Sequence, residues 1–273
     1  MPFSLLQQKY VTKSVALLHI LCYNKNISNK TSVNITYFYC SNFKGGEIEM
    51  KVKPIKSLEK IEEMKQELEK TNNSGMAERT FFEKKRNRAL FCLGINSALR
   101  VSDIVTLDLK DIFYDDLTFR DVMGTEQKTK KYKEFPLTNT LQEEMADYIC
   151  NYLGIVFDIH LFEIKDYYNL STADKERIKE IINKCVLFPS ERTDHYLTRV
   201  QVYRILNAAA KKIGLEKIGT HTMRKTFGYW FYKRTKDIAM LQKMFNHSSI
   251  RETLEYIDIE QDEINAAYKD FGL

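Results

Sequence analysis

Residues 245–257 read FNHSSIRETLEYI, and this stretch decides how the chain is interpreted. Ser248 or Ser249 is a typical helix N-cap, so a short helix is predicted to follow. His247 lies in front of that helix and Tyr256 lies near its end, nine residues further on. A histidine and a tyrosine at this interval bring a base and a hydroxyl to the two ends of one short segment.

A second polar segment lies upstream, where residues 220–227 read THTMRKTF. His221 and Arg224 are three residues apart, which places them on one side of a predicted helix. A tyrosine is a poor nucleophile at neutral pH unless its oxygen is activated. A histidine can accept its proton, two arginines can hold a phosphate, and a lysine can protonate a leaving oxygen. Phosphodiester exchange through a tyrosine uses these parts and needs no metal.

These two segments together resemble the signature of the tyrosine recombinase (phage integrase) family. That signature is His-x-x-Arg, then a histidine in a Gly-His-Ser-Ser turn, then the nucleophilic tyrosine. Three further segments match in the expected order: GINSALRVSDIVTLDLKDI, EQKTKKYKEFPL and LFPSERTDHYLTRVQVYRILNAAAKKIGL. The resemblance covers about residues 54–270. Asn246 replaces the usual glycine of the turn, and asparagine also tolerates positive φ.

The resemblance implies roles for four residues in the cleavage step. Tyr256 attacks the scissile phosphate and leaves a 3′-phosphotyrosyl bond and a free 5′-hydroxyl. His221 serves as general base and positions the tyrosine. Arg100, from the first of the three further segments, and Arg224 hold the non-bridging oxygens.

Two more residues complete the predicted site. Lys128 begins the Lys-Thr pair of the predicted hairpin and is implied to protonate the 5′ leaving oxygen, with Lys130, Lys131 and Lys133 as competitors. His247 is implied to hydrogen-bond the phosphate. The bond energy stays in the covalent link, so neither a nucleotide cofactor nor a divalent metal is expected. The next tyrosine, Tyr268, lacks a preceding histidine turn and is predicted only to pack.

Composition sets the bounds of this interpretation. The chain has 273 residues, a formal net charge of +5 and a pI near 8.7, which is compatible with a nucleic-acid partner. There are five cysteines without a Cys-x-x-Cys pair, so neither a zinc site nor a disulfide framework is indicated, and a reducing cytoplasm is favoured. No apolar run reaches about 18 residues, so no membrane span is predicted.

The predicted fold is α+β and mostly helical, as in the catalytic domain of the DNA breaking-rejoining enzymes. Helices are predicted at residues 57–70, 76–99, 101–107 (capped by Ser102), 139–153, 171–185, 197–215, 221–235, 237–245, 248–257 and 261–271. Residues 111–123 and 131–137 are predicted to form a small antiparallel sheet around a turn at 124–130. Residues 154–185 are longer than the family's usual connection and are predicted to add a surface helix.

The domain prediction separates residues 1–49 from a catalytic domain at 50–273. Residues 44–50, KGGEIEM, can be encoded as a ribosome-binding site followed by a start codon. We therefore expect either translated upstream sequence or a disordered arm before Met50, which mass spectrometry of the native protein can distinguish. The family usually carries a core-binding domain ahead of the catalytic one. Its apparent absence predicts weak DNA binding or an accessory DNA-binding protein.

The leading functional prediction is a site-specific DNA recombinase or integrase that acts on double-stranded DNA. One alternative is a type IB topoisomerase-like enzyme, which nicks and reseals the same strand. The other is a catalytically weak, partner-dependent DNA-binding remnant of a mobile element. A metal-dependent nuclease is disfavoured because no carboxylate cluster marks a metal site. The C-terminal segment, residues 260–273, resembles the helix through which relatives form homo-oligomers on DNA.

Overall fold

The structure is a computed structural model that describes residues 52–70, 78–125, 132–190, 195–259 and Lys269. The mostly helical α+β prediction is confirmed. In chain order the helices are α1 (Leu58–Glu69), α2 (Glu78–Ile95), α3 (Val101–Ile104), α4 (Asn139–Phe157), α5 (Thr172–Lys184), α6 (Arg199–Lys212), α7 (Thr222–Thr235), α8 (Ile238–Phe245) and α9 (Ile250–Tyr256). Short 3₁₀ helices lie at Leu109–Asp111 and Ile164–Asn169. The boundary at residue 49 and the helix at 261–271, apart from the helical Lys269, lie outside the described residues and stay predictions.

Helix α2 is the centre of the fold and packs against α1, α4 and α7. The apolar pattern of this segment predicts a buried side formed by Phe82, Ala89, Leu90, Leu93 and Ile95; the first four are buried, and Ile95 is partly buried against the core. Arg86 is also fully buried on this helix, which the apolar pattern did not predict. Its guanidinium donates to the Pro189 carbonyl at 2.6 Å and to the Asn87 side chain at 2.9 Å, so the buried donors are satisfied.

The sheet consists of β1 (Val122–Thr125) and β2 (Tyr132–Phe135), paired antiparallel with Val122 opposite Phe135. The prediction of one strand over 111–123 is wrong for its first part. Leu109–Asp111 is a 3₁₀ helix, and the chain then turns at Leu117, which has φ 64°. The Asp116 carboxylate accepts the Thr118 N–H at 3.0 Å, so an Asx turn replaces extended backbone there.

The short helix after Arg100 begins at Val101 as predicted, but it ends at Ile104 rather than at Leu107 and has a different cap. Arg100 itself is the N-cap of α3, and Ser102 lies inside the helix, so the predicted Ser102 cap is wrong. The Asp103 carboxylate accepts the Arg100 N–H at 3.4 Å and the Ser102 hydroxyl at 3.3 Å. An acidic side chain three residues into the helix therefore satisfies the first donors, as in half of a capping box.

The predicted extra helix is present as α5, capped by Ser171. Its apolar face is buried through Ile178, Ile181 and Ile182, so the element belongs to the main core as well as to the surface. The 3₁₀ helix at Ile164–Asn169 precedes it, and Phe162 beside that helix is 99% exposed.

Two hydrophobic clusters hold the described residues together. The main core includes buried residues of every helix from α1 to α7. The satellite cluster, defined here as Leu241, Phe245 and Ile257, lies beneath α8 and α9, with Tyr256 packed against it. Two of its three members, Phe245 and Ile257, are the first and last residues of the 245–257 stretch, which therefore packs on a small core beside the large one.

Residues 52–57 cross from one cluster toward the other. The Ile55 N–H donates to the Thr226 hydroxyl at 2.9 Å, and the Trp230 indole donates to the Ile55 carbonyl at 3.0 Å. Lys56 donates to the Asp258 carbonyl at 2.7 Å, just after α9. This segment therefore fastens α7 and also the end of the helix that carries Tyr256.

Candidate active site

The position of Tyr256 is set by the turn that starts α9. Asn246 ends α8 with φ 55°, the left-handed conformation anticipated for this asparagine. The His247 N–H then bonds the Gln242 carbonyl at 3.1 Å, and the Gln242 amide donates back to the His247 carbonyl at 3.2 Å. Ser249 is the N-cap of α9 and accepts the Glu252 N–H at 3.1 Å. A fully specified turn therefore orients the short helix.

The central contact of the site joins His221 to Tyr256. The Nδ1 atom of His221 lies 3.0 Å from the Tyr256 hydroxyl oxygen, although the residues are 35 positions apart. His221 is the N-cap of α7, and its backbone is fixed by Thr222, whose hydroxyl accepts the Gly219 N–H at 3.0 Å. The structure thus brings together the predicted base and the predicted nucleophile at hydrogen-bond distance.

Burial favours the neutral form of both side chains. Burial raises the pKa of Tyr256 to about 12, against the opposing charges of Arg224 and Arg100. Desolvation lowers the pKa of His221, and nearby cations lower it further. A neutral imidazole that carries its proton on Nε2 can accept the phenolic proton at Nδ1 at neutral pH.

Arg224 is buried and is held in place by two contacts with Phe245. It is 2% exposed, donates from Nη2 to the Phe245 carbonyl at 2.7 Å, and stacks its guanidinium 4.6 Å from the centre of the Phe245 ring. The carbonyl belongs to the last residue of α8, where a cation is favourable. Arg224 therefore links α7 to the satellite cluster.

Arg100 acts on the pair through its charge. It is half-buried at the junction of α2 and α3, and its positive charge lowers the pKa of both His221 and Tyr256. The two predicted arginines therefore direct their charge at the same hydroxyl.

His247 also lies against the tyrosine. Its ring centre is 5.1 Å from that of Tyr256 in an edge-to-face arrangement, and its Nδ1 is 3.1 Å from the Thr253 hydroxyl. The structure thus brings five of the six predicted residues together. His221 and His247 contact Tyr256, and the charges of Arg100 and Arg224 act on it. The sixth, Lys128, lies outside the described residues, and its assignment stays a prediction.

Sequence reasoning missed two cations near the site. Lys225 is 6% exposed, with its Nζ 5.1 Å from the centre of the Tyr256 ring. Its spacing of four residues from His221 on a helix was the available signal. Arg199, the first residue of α6, is exposed and contributes to the lowered pKa of His221. No sequence signal marks Arg199, because tertiary packing alone brings α6 to His221.

The described residues contain no group of three His, Cys, Asp or Glu side chains placed to hold a metal ion. Within the same ranges, no helix has the length and apolarity needed to cross a bilayer.

Comparison with known proteins gives concordant matches. The model of the phage integrase family matches residues 59–263. The probable integrase/recombinase YoeC of Bacillus subtilis (strain 168) is 42% identical over 221 residues, which are 81% of this chain and 97% of YoeC. The tyrosine recombinase XerC of Thermodesulfovibrio yellowstonii is 28% identical over 182 residues, which are 66% of this chain and 52% of that protein. The chain thus spans nearly all of YoeC but about half of this XerC.

Solved structures share the fold. A post-cleavage complex of the XerH site-specific recombinase with a palindromic difH substrate has a TM-score of 0.54 at 17% identity, over 93% of this chain and 62% of that one. The XerA recombinase has a TM-score of 0.52 at 16% identity, over 80% of this chain and 63% of that one. At these identities the likeness establishes the architecture.

Proposed function

This chain belongs to the phage integrase family, the tyrosine recombinases, and we propose from that premise that it cleaves and rejoins DNA strands through a 3′-phosphotyrosyl intermediate. The observation that carries the proposal is the 3.0 Å contact between His221 Nδ1 and the Tyr256 hydroxyl. A neutral base at this distance is poised to take the phenolic proton as the oxygen attacks.

The first step exchanges one phosphodiester for another. A bond forms between the Tyr256 oxygen and phosphorus, the bond between phosphorus and the 5′ oxygen breaks, and the phenolic proton passes to His221. The leaving 5′ oxygen takes a proton from Lys128 in the role that the family resemblance implies. One ester bond replaces another, so a nucleotide cofactor is not consumed. Attack by a different 5′-hydroxyl reverses the step and exchanges the strands.

The arginines supply the charge that this step requires. As Tyr256 attacks, negative charge gathers on the non-bridging oxygens, and two fixed guanidinium groups stabilise it without rearranging. Arg224 is suited to this role because its stacking on Phe245 and its bond to the carbonyl there hold it in place. Arg100 completes the clamp from the start of α3.

His247 is proposed to donate to the phosphate as an imidazolium. The Thr253 hydroxyl donates its own proton to the Ser249 carbonyl at 3.1 Å, so it accepts a proton from His247 Nδ1. With Nδ1 used in this way, Nε2 can donate only when the ring carries both protons. The phosphate anion between the arginines favours that state.

Double-stranded DNA is the proposed substrate, and the bacterial cytoplasm is the proposed location. The formal net charge of +5 favours a polyanionic partner, and the resulting affinity should fall with salt. We further propose homo-oligomers on DNA through the C-terminal segment, and an accessory DNA-binding protein that adds phosphate contacts.

A strand-transfer experiment tests the proposal. The probe is a nicked duplex from the flanks of the protein's own gene, supplied with a second labelled duplex that offers a free 5′-hydroxyl. We expect the wild-type chain, and not Tyr256→Phe, to join the first strand to the second duplex. Relaxation of supercoiled plasmid without transfer would point instead to topoisomerase-like activity. Retention of the probe without either reaction would identify a DNA-binding remnant.

A further inference from the structure

Lys225 is a buried cation that the chemistry above does not use. It lies on α7, one residue after Arg224 and four after His221, and only 6% of it is exposed. An ammonium group in such a place loses most of its hydration and is repelled by the neighbouring guanidinium. The negative face of an aromatic ring compensates part of that cost, and the ring that Lys225 reaches, at 5.1 Å, is that of Tyr256.

The other rings around Tyr256 meet it at steep angles. Phe245 lies at 5.4 Å and 74°, His247 at 5.1 Å and 73°, and His221 at 6.2 Å and 80° between ring planes. Edge-to-face contacts of this kind orient an aromatic ring but bring no full charge to it, except where a histidine is protonated. Lys225 adds a permanent positive charge to this set.

We propose that Lys225 is a positioning residue for the nucleophile, whose ammonium group holds the Tyr256 ring beside His221 and stabilises the phenolate as it forms. This inference rests on the proposed function, since it concerns activation of the same tyrosine. The O–H bond of Tyr256 breaks, an N–H bond forms at His221 Nδ1, and negative charge spreads into the ring next to the ammonium. Lys225 keeps its protons throughout.

The same charge also acts on the base. In the described part of the chain, the charged and titratable groups that act on or contact the pair are Arg199 on α6, Arg224 and Lys225 on α7, Arg100 before α3, and His247 before α9. The pKa of His221 is lowered by desolvation first and then by these cations, Lys225 among them. Removing the Lys225 charge should raise that pKa. Less of the imidazole is then neutral at a given pH, so the acid limb of the rate profile moves to higher pH.

The test compares Lys225→Met, Lys225→Arg and the control Lys236→Met in the full chain. Lys236 has a similar ring contact, 5.4 Å from the centre of the Tyr232 ring, but lies exposed at the end of α7. The rate of covalent complex formation is measured at saturating nicked DNA from pH 5.5 to 9.5. Lys225→Met should react about 10- to 30-fold more slowly at pH 7, with its acid limb shifted upward. Lys225→Arg should recover most of the rate, and the control should match wild type.

A second readout separates this inference from the proposed function. The imidazole of His221 is titrated by NMR without DNA, with its signal assigned by His221→Gln. Lys225→Met should raise the His221 pKa, and Lys225→Arg should not. If Lys225→Met keeps both the wild-type rate profile and the wild-type His221 titration, the inference is overturned. If wild type forms no covalent complex, the proposed function fails, while the titration still decides whether the Lys225 charge acts at the pair.

Discussion

The main core and the satellite cluster differ in size and in what they support. The main core joins the helices α1 to α7, and Leu99 and Val101, the neighbours of Arg100, belong to it. The satellite cluster has three fully buried members beneath the seven-residue helix α9, which ends in Tyr256. The proposed phosphate clamp therefore rests largely on the main core, and the proposed nucleophile rests on a small, separately packed cluster.

From this difference we expect that Tyr256 can move without unfolding of the whole domain. A seven-residue helix is not stable alone, so α9 depends on its caps and on the satellite cluster. The clamp needs fixed geometry, because the charges it stabilises appear only in the transition state. The proposed nucleophile must approach and leave the phosphorus during two half-reactions, and a short helix that packs on a small separate cluster suits that task.

Arg224→Ala should have the largest effect on the chemistry, because Arg224 serves both regions. It is proposed to hold the phosphate and also binds the Phe245 carbonyl of the satellite cluster. We expect covalent complex formation to fall by about 10²–10³-fold in single-turnover assays. Arg224→Lys keeps the charge and should retain more activity. An Arg224→Ala protein that folds and reacts at the wild-type rate would separate this residue from the reaction.

A matched pair of leucines tests the two clusters directly. Leu93 in the main core and Leu241 in the satellite cluster are both completely buried. Leu93→Ala should lower the free energy of unfolding by about 3–5 kcal/mol, and Leu241→Ala by less, at the lower end of about 2–5 kcal/mol. Only Leu241→Ala should slow the reaction of the folded protein. Chemical denaturation and single-turnover rates provide the two measurements, and the reverse assignment of effects would contradict the comparison.

Gly228→Ala probes the satellite cluster with one added methyl group. A Cβ at this position would lie 2.6 Å from Phe245 Cζ and 2.7 Å from Ile257 Cγ2. These side chains must shift, so α9 should be displaced and the reaction slowed by about 10-fold, because small misplacements of reacting groups are costly. Gly154→Ala in α4 is the control, since its nearest neighbour is 3.3 Å away in an exposed histidine. Equal rates for the two variants would show that α9 tolerates the shift.

Much of the fold was predictable because local signals agree with the final structure. The caps Ser57, Ser171 and Ser249 start helices where expected, and Asn246 adopts positive φ. The strand predicted over 111–123 failed because the turn at Leu117 depends on one Asx contact within an otherwise strand-like stretch. The sequence pattern of residues 111–123 predicts an extended strand and gives no sign of the turn at Leu117.

The site residues were predictable from sequence where they belong to short linear motifs. His221, Arg224, His247 and Tyr256 occur in two short segments, and the structure places them around one hydroxyl. Lys225 and Arg199 were missed because their roles depend on which charges packing brings to His221. Hydrophobic periodicity and capping patterns do not show which charged side chains the folded chain brings close to His221.

The most direct test of the account is to identify the residue that becomes bonded to DNA. The full chain is trapped on nicked DNA from its own locus, the DNA is digested to a short remnant, and tandem mass spectrometry locates the modified tyrosine. We predict a nucleotide joined to the Tyr256 oxygen through its 3′-phosphate. Tyr256→Phe should give no adduct, and Tyr268→Phe should react as wild type. An adduct on any other residue, or an adduct that survives in Tyr256→Phe, would contradict the account.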